Sequence, residues 1–505
     1  MTTTESPTTQ PTTADPKRFL ALVIIAAAQL MIVLDASVVI VALPSAQRAL
    51  HISVADRQWV MTAYTLAFGS LLLLGGRIAD YVGRRKIFVI GLVGFAGASA
   101  LGGLAQSAGM LFGARVLQGA FAALMAPAAL SILTVTFTEP RERARAFGVY
   151  GAVAGTGAAI GLVLGGLLTQ YASWRWTLLI NVPFALLAAV GALRWVGESR
   201  HESRTGYDLP GALSVTVGLF LLVYGFTTAG TDGWSSPVTL ALLISAGLVL
   251  VLFVLLELRS PHPLLPLRVV LDRNRGGAFS ASLLVGSALL GTFLFLTYFF
   301  QGTLHYSALK TGFAFLPFSA GIIIGATLAS RLLPRIGPRA LMVTGLVFGT
   351  VGLALFTRLT VDSSYLVGVL PSEIIVSLGM GMTFVPMSST ALIGVEPKDA
   401  GVASALVNTT QQVGGSLGTA LLNTVAATAA ASFVVAHGPS EEVVQAAAVH
   451  GYTTAFTVSA VLLGGAALVS ALLIRASRRD VPSAEAVELV PAVAVDELAA
   501  AETAA

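Results

Sequence analysis

The sequence predicts an all-α membrane protein of fourteen transmembrane helices: two six-helix bundles with two further helices inserted between them. Three observations carry this. The chain is 55% hydrophobic and only 11% charged, whereas a soluble domain carries about a quarter charged residues, so most of it must face lipid or other apolar helices. Its apolar runs have the length of about 20 residues that crosses a bilayer; they are 19–43, 55–76, 87–106, 109–132, 146–169, 176–197, 209–229, 238–257, 278–300, 312–332, 339–357, 365–390, 401–427 and 451–474. The chain also repeats itself. Aligning Gly337 with Gly83 brings Arg331 onto Arg77, Leu332 onto Ile78, Ile336 onto Val82 and Arg339 onto Arg85, with Pro334 where Asp80 stands.

Taken in order, residues 1–16 are Thr- and Pro-rich and form an expected disordered tail. The run that follows is too long for a cleaved signal peptide and reads as a retained first span. Residues 17–200 are the expected N-terminal bundle, 201–275 the two inserted helices and a Pro-stiffened connector, 276–478 the C-terminal bundle, and 479–505 a second disordered tail. Every span should be helical, because an open strand leaves its backbone unsatisfied in lipid and the alternation of a barrel is absent. With the N-terminus inside, and cations at the ends of spans counted with the adjoining side, 23 of the 29 Lys and Arg fall inside, five outside (Arg48, Arg57, Arg175, Lys310 and Arg358) and one, Arg115, well within a span. That bias places both termini in the cytoplasm and the chain in the cell membrane as a multi-pass protein.

Composition also excludes. The net charge of +4 reflects basic loops on one side of the membrane and not nucleic-acid binding. With no cysteine, disulfide and thiol chemistry are ruled out. No phosphate-binding loop of the G-x-x-x-x-G-K-S/T form occurs, so ATP-driven pumping is not expected. No His/Cys metal cluster or nucleophile–base arrangement can be recognised, so neither an enzyme nor a cofactor is expected.

The chemistry concentrates in a few polar residues. Gly76-Arg77-Ile78-Ala79-Asp80-Tyr81-Val82-Gly83-Arg84-Arg85-Lys86 joins the second and third spans. Its glycines permit a tight reversal, and Asp80 with Arg84 and Arg85 could latch two bundles in one state and release them in another. Asp35 stands inside the first span, where a charge costs about 2.5–3.5 kcal/mol on insertion scales; it reads as a proton site facing a cavity. Arg115 stays protonated and must find an acceptor. Its depth differs from that of Asp35 by only ~3 Å at 1.5 Å rise per residue, so the two should face one cavity, and Gln118 lies three residues on, on the same helix face. Gly157, Gly161 and Gly165 form a stripe at spacing four that lets a neighbouring helix approach closely. Glu373 is the second intramembrane acid, able to attract a cationic substrate or bind a proton. Asn408, Gln411 and Gln301 are polar residues that could line a cavity, with Phe300, Tyr306 and Pro317 at its mouth.

The loop at 76–86 resembles the signature G-x-L-A-D-x-x-G-R-K/R of the major facilitator superfamily, with Gly76, Ile78, Ala79, Asp80, Gly83, Arg84 and Arg85 in place. The resemblance covers about residues 17–478. Leu34-Asp35-Ala36-Ser37-Val38-Val39-Ile40-Val41-Ala42-Leu43-Pro44 is similar to the first-helix signature of that family's 14-helix drug:H+ antiporter branch, Arg115-Val-Leu-Gln118-Gly119 to its fourth-helix R-x-x-Q-G, and Trp174-Arg175-Trp176 with Asn181-Val-Pro183 to its W-R-W-x-F-x-I-N-V-P segment. The glycine-rich fifth span departs from the branch's usual G-P, since Leu162 follows Gly161. The resemblance implies the major facilitator fold, proton coupling through Asp35, Arg115 and Gln118, and export of a small amphipathic, often cationic drug or antibiotic in exchange for protons by a monomer. The alternative it leaves open is a facilitator-type importer or uniporter of a small metabolite on the same fold.

Overall fold

An apolar segment in lipid must bond its own backbone groups, and the α-helix does this within a single segment. The computed structural model describes residues 17–137, 139–199, 208–261, 263–395 and 400–480, and these are helical with no strand among them. The first half comprises α1 (Lys17–Ala49), α2 (Trp59–Val82), α3 (Arg84–Gly103), α4 (Ala108–Thr136), α5 (Pro140–Tyr171), the single turn α6 (Trp176–Leu179) and α7 (Asn181–Trp195). Two helices follow, α8 (Leu209–Asp232) and α9 (Pro237–Arg259), then a short connector helix α10 (Leu267–Val270). The second half comprises α11 (Arg273–Tyr298), α12 (Ala308–Ala314), α13 (Leu316–Ile336), α14 (Pro338–Phe356), α15 (Leu370–Leu392), α16 (Ala400–His437) and α17 (Glu441–Leu473). Wide π-type turns extend α11 through Phe299–Thr303 and precede α15 at Tyr365–Val369.

Twelve stretches among the described residues are long and apolar enough to cross a membrane. Helices α2 and α5 add the apolar segments Trp59–Leu72 and Thr156–Tyr171, so each of the fourteen expected spans meets a helix. Several helices outrun their apolar cores. For example, α1 continues through Pro44 to Ala49, because a helix can extend into the polar zone beyond the hydrocarbon. The expected tails 1–16 and 481–505 lie outside the described residues.

The repeat read from the sequence is present in the packing. Gly83 and Gly337 both have positive φ, 121° and 82°, and each separates two consecutive helices. Eight residues on, Gly91 of α3 lies against the Phe121 carbonyl and Met125 of α4, while Gly345 of α14 lies against the Gly379 carbonyl and Thr383 of α15. The α1·α5 contact recurs as well: Gly161 and Gly165 meet Leu34 and Val38, as Gly414 and Gly418 meet Leu283 and Ser287. The two halves are thus two copies of one helical arrangement.

Call the end bearing Lys17 and Arg84 the basic face and the opposite end the far face. Polar bonds between the halves cluster toward the far face. Arg57 donates from Nε to Asn423 Oδ1 at 3.1 Å, and Thr65 and Ser416 share a hydrogen bond of 2.6 Å. Gln301 donates to the Val41 carbonyl at 2.9 Å, and the Tyr298 hydroxyl bonds Gln47. Gly166 packs on the backbone of Ala308 and Leu309, and Gly312 on that of Leu162 and Val163. Arg57, counted in the sequence as a loop cation, is in fact 6% exposed, with its guanidinium over the Tyr298 ring at 4.1 Å. The π face and the amide oxygen take the place of water.

Helices α8 and α9 lie outside this seam. α8 packs against α2 and α16, where Trp59 meets Phe220 and Tyr224, Gln58 donates to Thr227 at 3.2 Å, and Thr424 donates to the Phe226 carbonyl at 3.1 Å. α9 is the most apolar span and the least buried, as expected of a helix facing lipid on most sides.

Candidate functional site

Asp35 lies in the interior of the first bundle, fully buried. It is held there by donors from two other helices. Arg115 of α4 approaches Asp35 Oδ2 at 2.5 Å through its terminal nitrogen. Asp35 Oδ1 accepts from Gln118 Nε2 at 3.0 Å and from Asn181 Nδ2, at the first residue of α7, at 2.8 Å. Further bonds tie the donors to one another and to the backbone. Arg115 donates from Nε to the Val60 carbonyl at 2.9 Å and from its terminal nitrogen to Gln118 Oε1 at 2.9 Å, and Gln118 Nε2 also donates to Ser99 Oγ at 2.7 Å. The Arg115 guanidinium lies 4.4 Å from the ring centroid of Tyr64. Five helices, α1, α2, α3, α4 and α7, therefore contribute to one cluster in which each residue is nearly or wholly buried.

This arrangement can do specific chemistry. Three donors, one cation and two amides, converge on the Asp35 carboxyl. Moving an unpaired charge into such a place would cost several kcal/mol. Adding a proton to Asp35 removes the reason for Arg115 to stay, and restoring the charge draws it back. A small cavity touching Arg115 opens beside the pair, lined among others by Val39, Leu111, Trp174 and Thr177. The glycine stripe sits directly behind the acid: Gly157 packs on Leu30 and Val33, Gly161 on Leu34 and Ser37, and Gly165 on Val38. Any Cβ larger than hydrogen at Gly161 would overlap Ser37 Oγ, so the close approach of α5 to α1 depends on these residues.

The structure thus brings Asp35, Arg115 and Gln118 into contact. Asn181, Ser99 and Tyr64 join them, none of them given a role by the sequence. Asn181, in the segment similar to W-R-W-x-F-x-I-N-V-P, begins α7; Ser99 is one hydroxyl in an apolar run, and Tyr64 carries no local mark. Trp174 is buried against the small cavity.

The loop at the basic face works differently from a free latch. Arg85 bonds the C-terminal side of α7: its backbone N–H donates to Glu198 Oε1 at 3.1 Å, its guanidinium donates to the Val196 carbonyl at 3.3 Å, and Nε lies 3.8 Å from Glu198 Oε2. The Arg84 backbone N–H donates to the Ser199 carbonyl at 3.1 Å. Glu198, unremarked in the sequence, occupies the space a side chain on Gly83 would need. Gly76 packs on Pro127, and Arg77 donates to the Pro263 carbonyl of the connector at 3.3 Å. The Asp80 side chain lies outside the described residues.

Of the remaining candidates, Gln301 joins the halves at the far face, Gln411 is half-buried with its backbone carbonyl against Gly286, and Asn408 is exposed. Their neighbours Thr409 and Thr410 line a nearly wholly apolar cavity between α2, α8, α9, α11, α16 and the connector. Glu373 lines neither cavity and is fully buried, with the Tyr365 hydroxyl 3.4 Å from its Oε2.

Known proteins agree with this fold. The structure is similar to a bacterial homolog of the human lysosomal transporter Spinster in an inward-facing, unoccupied conformation, with a TM-score of 0.65 at 17% identity over 93% of this chain and 99% of that one. In sequence the chain is 52% identical over 454 residues to the puromycin resistance protein of Streptomyces alboniger, covering 89% of this chain and 90% of that protein. It is 40% identical over 409 residues to the cephamycin export protein of Amycolatopsis lactamdurans, covering 80% and 84%. The model of the Major Facilitator Superfamily matches residues 25–419, and the chain belongs to that family of membrane transporters.

Proposed function

We propose that this chain exports a small amphipathic drug or antibiotic across the cell membrane in exchange for protons, with both termini and the basic face in the cytoplasm. The observation that carries the reading is the buried Asp35–Arg115 pair, bonded to Gln118 and Asn181. Its relatives add the direction of transport, since one confers puromycin resistance and another exports cephamycin.

With the far face closed, the molecule stands in its cytoplasm-facing state and Asp35 has given up its proton. Drug enters from the cytoplasm toward the seam where Thr409 and Thr410 lie. The halves rock about the α5·α12 contact, and the pair is presented to the outside. A proton from outside neutralises Asp35, Arg115 lets go, and the drug-free protein returns. At the basic face, Gly76, Asp80, Gly83, Arg84 and Arg85 steady the loop that closes in the outward-facing state. Because Arg85 and Arg84 hold the end of α7, this loop moves as part of the first half.

The test uses the purified protein in vesicles with an imposed pH gradient and puromycin or ethidium as probe. Wild type moves the probe against its gradient toward the acidic side. Asp35→Asn abolishes that uphill movement while the protein remains inserted. Full exchange in the variant removes Asp35 from the coupling, and uphill movement in the reverse direction identifies an importer.

A further inference from the structure

The register of the repeat leads to a second acid. Because Gly91 and Gly345 are equivalent, their contacts pair Phe121 with Gly379 and Met125 with Thr383. The same register pairs Arg115 with Glu373. The second half therefore places a buried carboxyl where the first half places its buried guanidinium.

Its company is entirely different. Glu373 is fully buried in the first turn of α15, and its Oε1 has no hydrogen-bond partner. Among the described residues no cation pairs with it. From the turn before α15 comes the Tyr365 hydroxyl, 3.4 Å from Oε2, and from the start of α13 the backbone N–H of Phe318 faces it. From α12 comes the Ala314 carbonyl, which Tyr365 also contacts at 2.8 Å. Lys310 of α12 stands one ring further out, its Nζ 3.7 Å from the centroid of Tyr306. Phe300 packs on Tyr306, Phe315 and Tyr365 with centroids 5.2–6.0 Å apart, closing the roof.

Hydrogen counting then decides the state of the acid. A tyrosine hydroxyl has one hydrogen to give. A carbonyl can only accept, so the shorter contact commits that hydrogen to Ala314. That leaves Tyr365 only a weak 3.4 Å branch to give to Glu373 Oε2, whereas a Glu373 that carries its own hydrogen can donate it to the tyrosine oxygen. An ionised carboxylate here would also be buried without a counter-charge, which costs several kcal/mol.

We propose that Glu373 is a second proton-carrying site, in the second half, separate from Asp35 and reached from the far face past Tyr365 and Tyr306. Phe300, Tyr306, Phe315 and Tyr365 pack ring on ring beside the Glu373–Tyr365 contact, a setting that suits a proton and not a bulky cation. In the cytoplasm-facing state the two acids stand in opposite states, Asp35 ionised and Glu373 neutral. Opening the far face parts α12 and the Tyr365 turn, and the acid exchanges its proton with the outside.

Infrared spectroscopy of the purified protein tests this without any drug. Wild type should show the carbonyl stretch of a protonated carboxylic acid at neutral pH, kept in Asp35→Asn, lost in Glu373→Gln and displaced in Tyr365→Phe. No such band in wild type, or a band unchanged in both Glu373→Gln and Tyr365→Phe, overturns the proposal; Tyr365→Phe keeps the test alive if Glu373→Gln does not fold. A second arm rests on the exporter reading: because Glu373 takes and gives its proton at the far face alone, protons moved per puromycin in vesicles should stay unchanged in Glu373→Gln. A ratio that falls by one overturns the far-face-only exchange, whereas absence of any puromycin–proton exchange in wild type defeats the exporter reading and leaves the infrared result to decide the acid.

Discussion

The environments of Asp35 and Glu373 share depth and apolar surroundings but differ in what neutralises the charge. Asp35 has a guanidinium at 2.5 Å and two amide donors, so its charge is compensated by position. Glu373 has one tyrosine hydroxyl and an unpartnered oxygen, so its charge is best avoided by keeping the proton. Burial alone does not tell whether an intramembrane acid is ionised. The count and kind of donors around it does.

The same substitution, acid to amide, separates the two sites most sharply. Asp35→Asn leaves Arg115 buried without its counter-charge and should destabilise the protein by about 3–5 kcal/mol. Glu373→Gln replaces one neutral group with another and should change stability by under about 1 kcal/mol. Unfolding in detergent measures both, and equal losses would erase the distinction. Pairing Arg115→Gln with Asp35→Asn should recover much of the single-variant loss, because removing both charges is far cheaper than stranding one. Next in size, Asn181→Ala removes a hydrogen bond to a charged oxygen and should cost about 1.5–3 kcal/mol. Gly161→Ala should cost about 1–3 kcal/mol by overpacking α5 against Ser37; a neutral result would mean the glycine stripe does not set the α1·α5 distance. Smallest is Glu198→Gln at the basic face, whose partly exposed ion pair with Arg85 is worth about 0–1 kcal/mol.

Much of this contrast was legible in the sequence. The span lengths, the repeat and the depths of Asp35 and Arg115 followed from hydropathy and helical rise. Glu373 stood out as an acid in an apolar run. What could not be read was company. Whether Asp35 meets Asn181, or Glu373 meets a lone tyrosine, depends on which helices of a bundle are neighbours and how they are rotated. Arg57 shows the same limit, since a loop position in the sequence becomes a buried contact only when α11 and α16 close over it. The register that equates Arg115 with Glu373 also needed packing, because the Gly83–Gly337 alignment alone is displaced by four residues by the time it reaches these helices.

The meeting of α5 with α12 carries a consequence for speed. There Gly166 and Gly312 bring main chain against main chain with no side chain between them. Such a joint resembles a bare bearing, with little greasy surface to peel apart when it turns. The resistance to each swing must then reside in the handful of polar clasps nearby, so trimming or adding one clasp would retune how often the transporter cycles without touching what it carries.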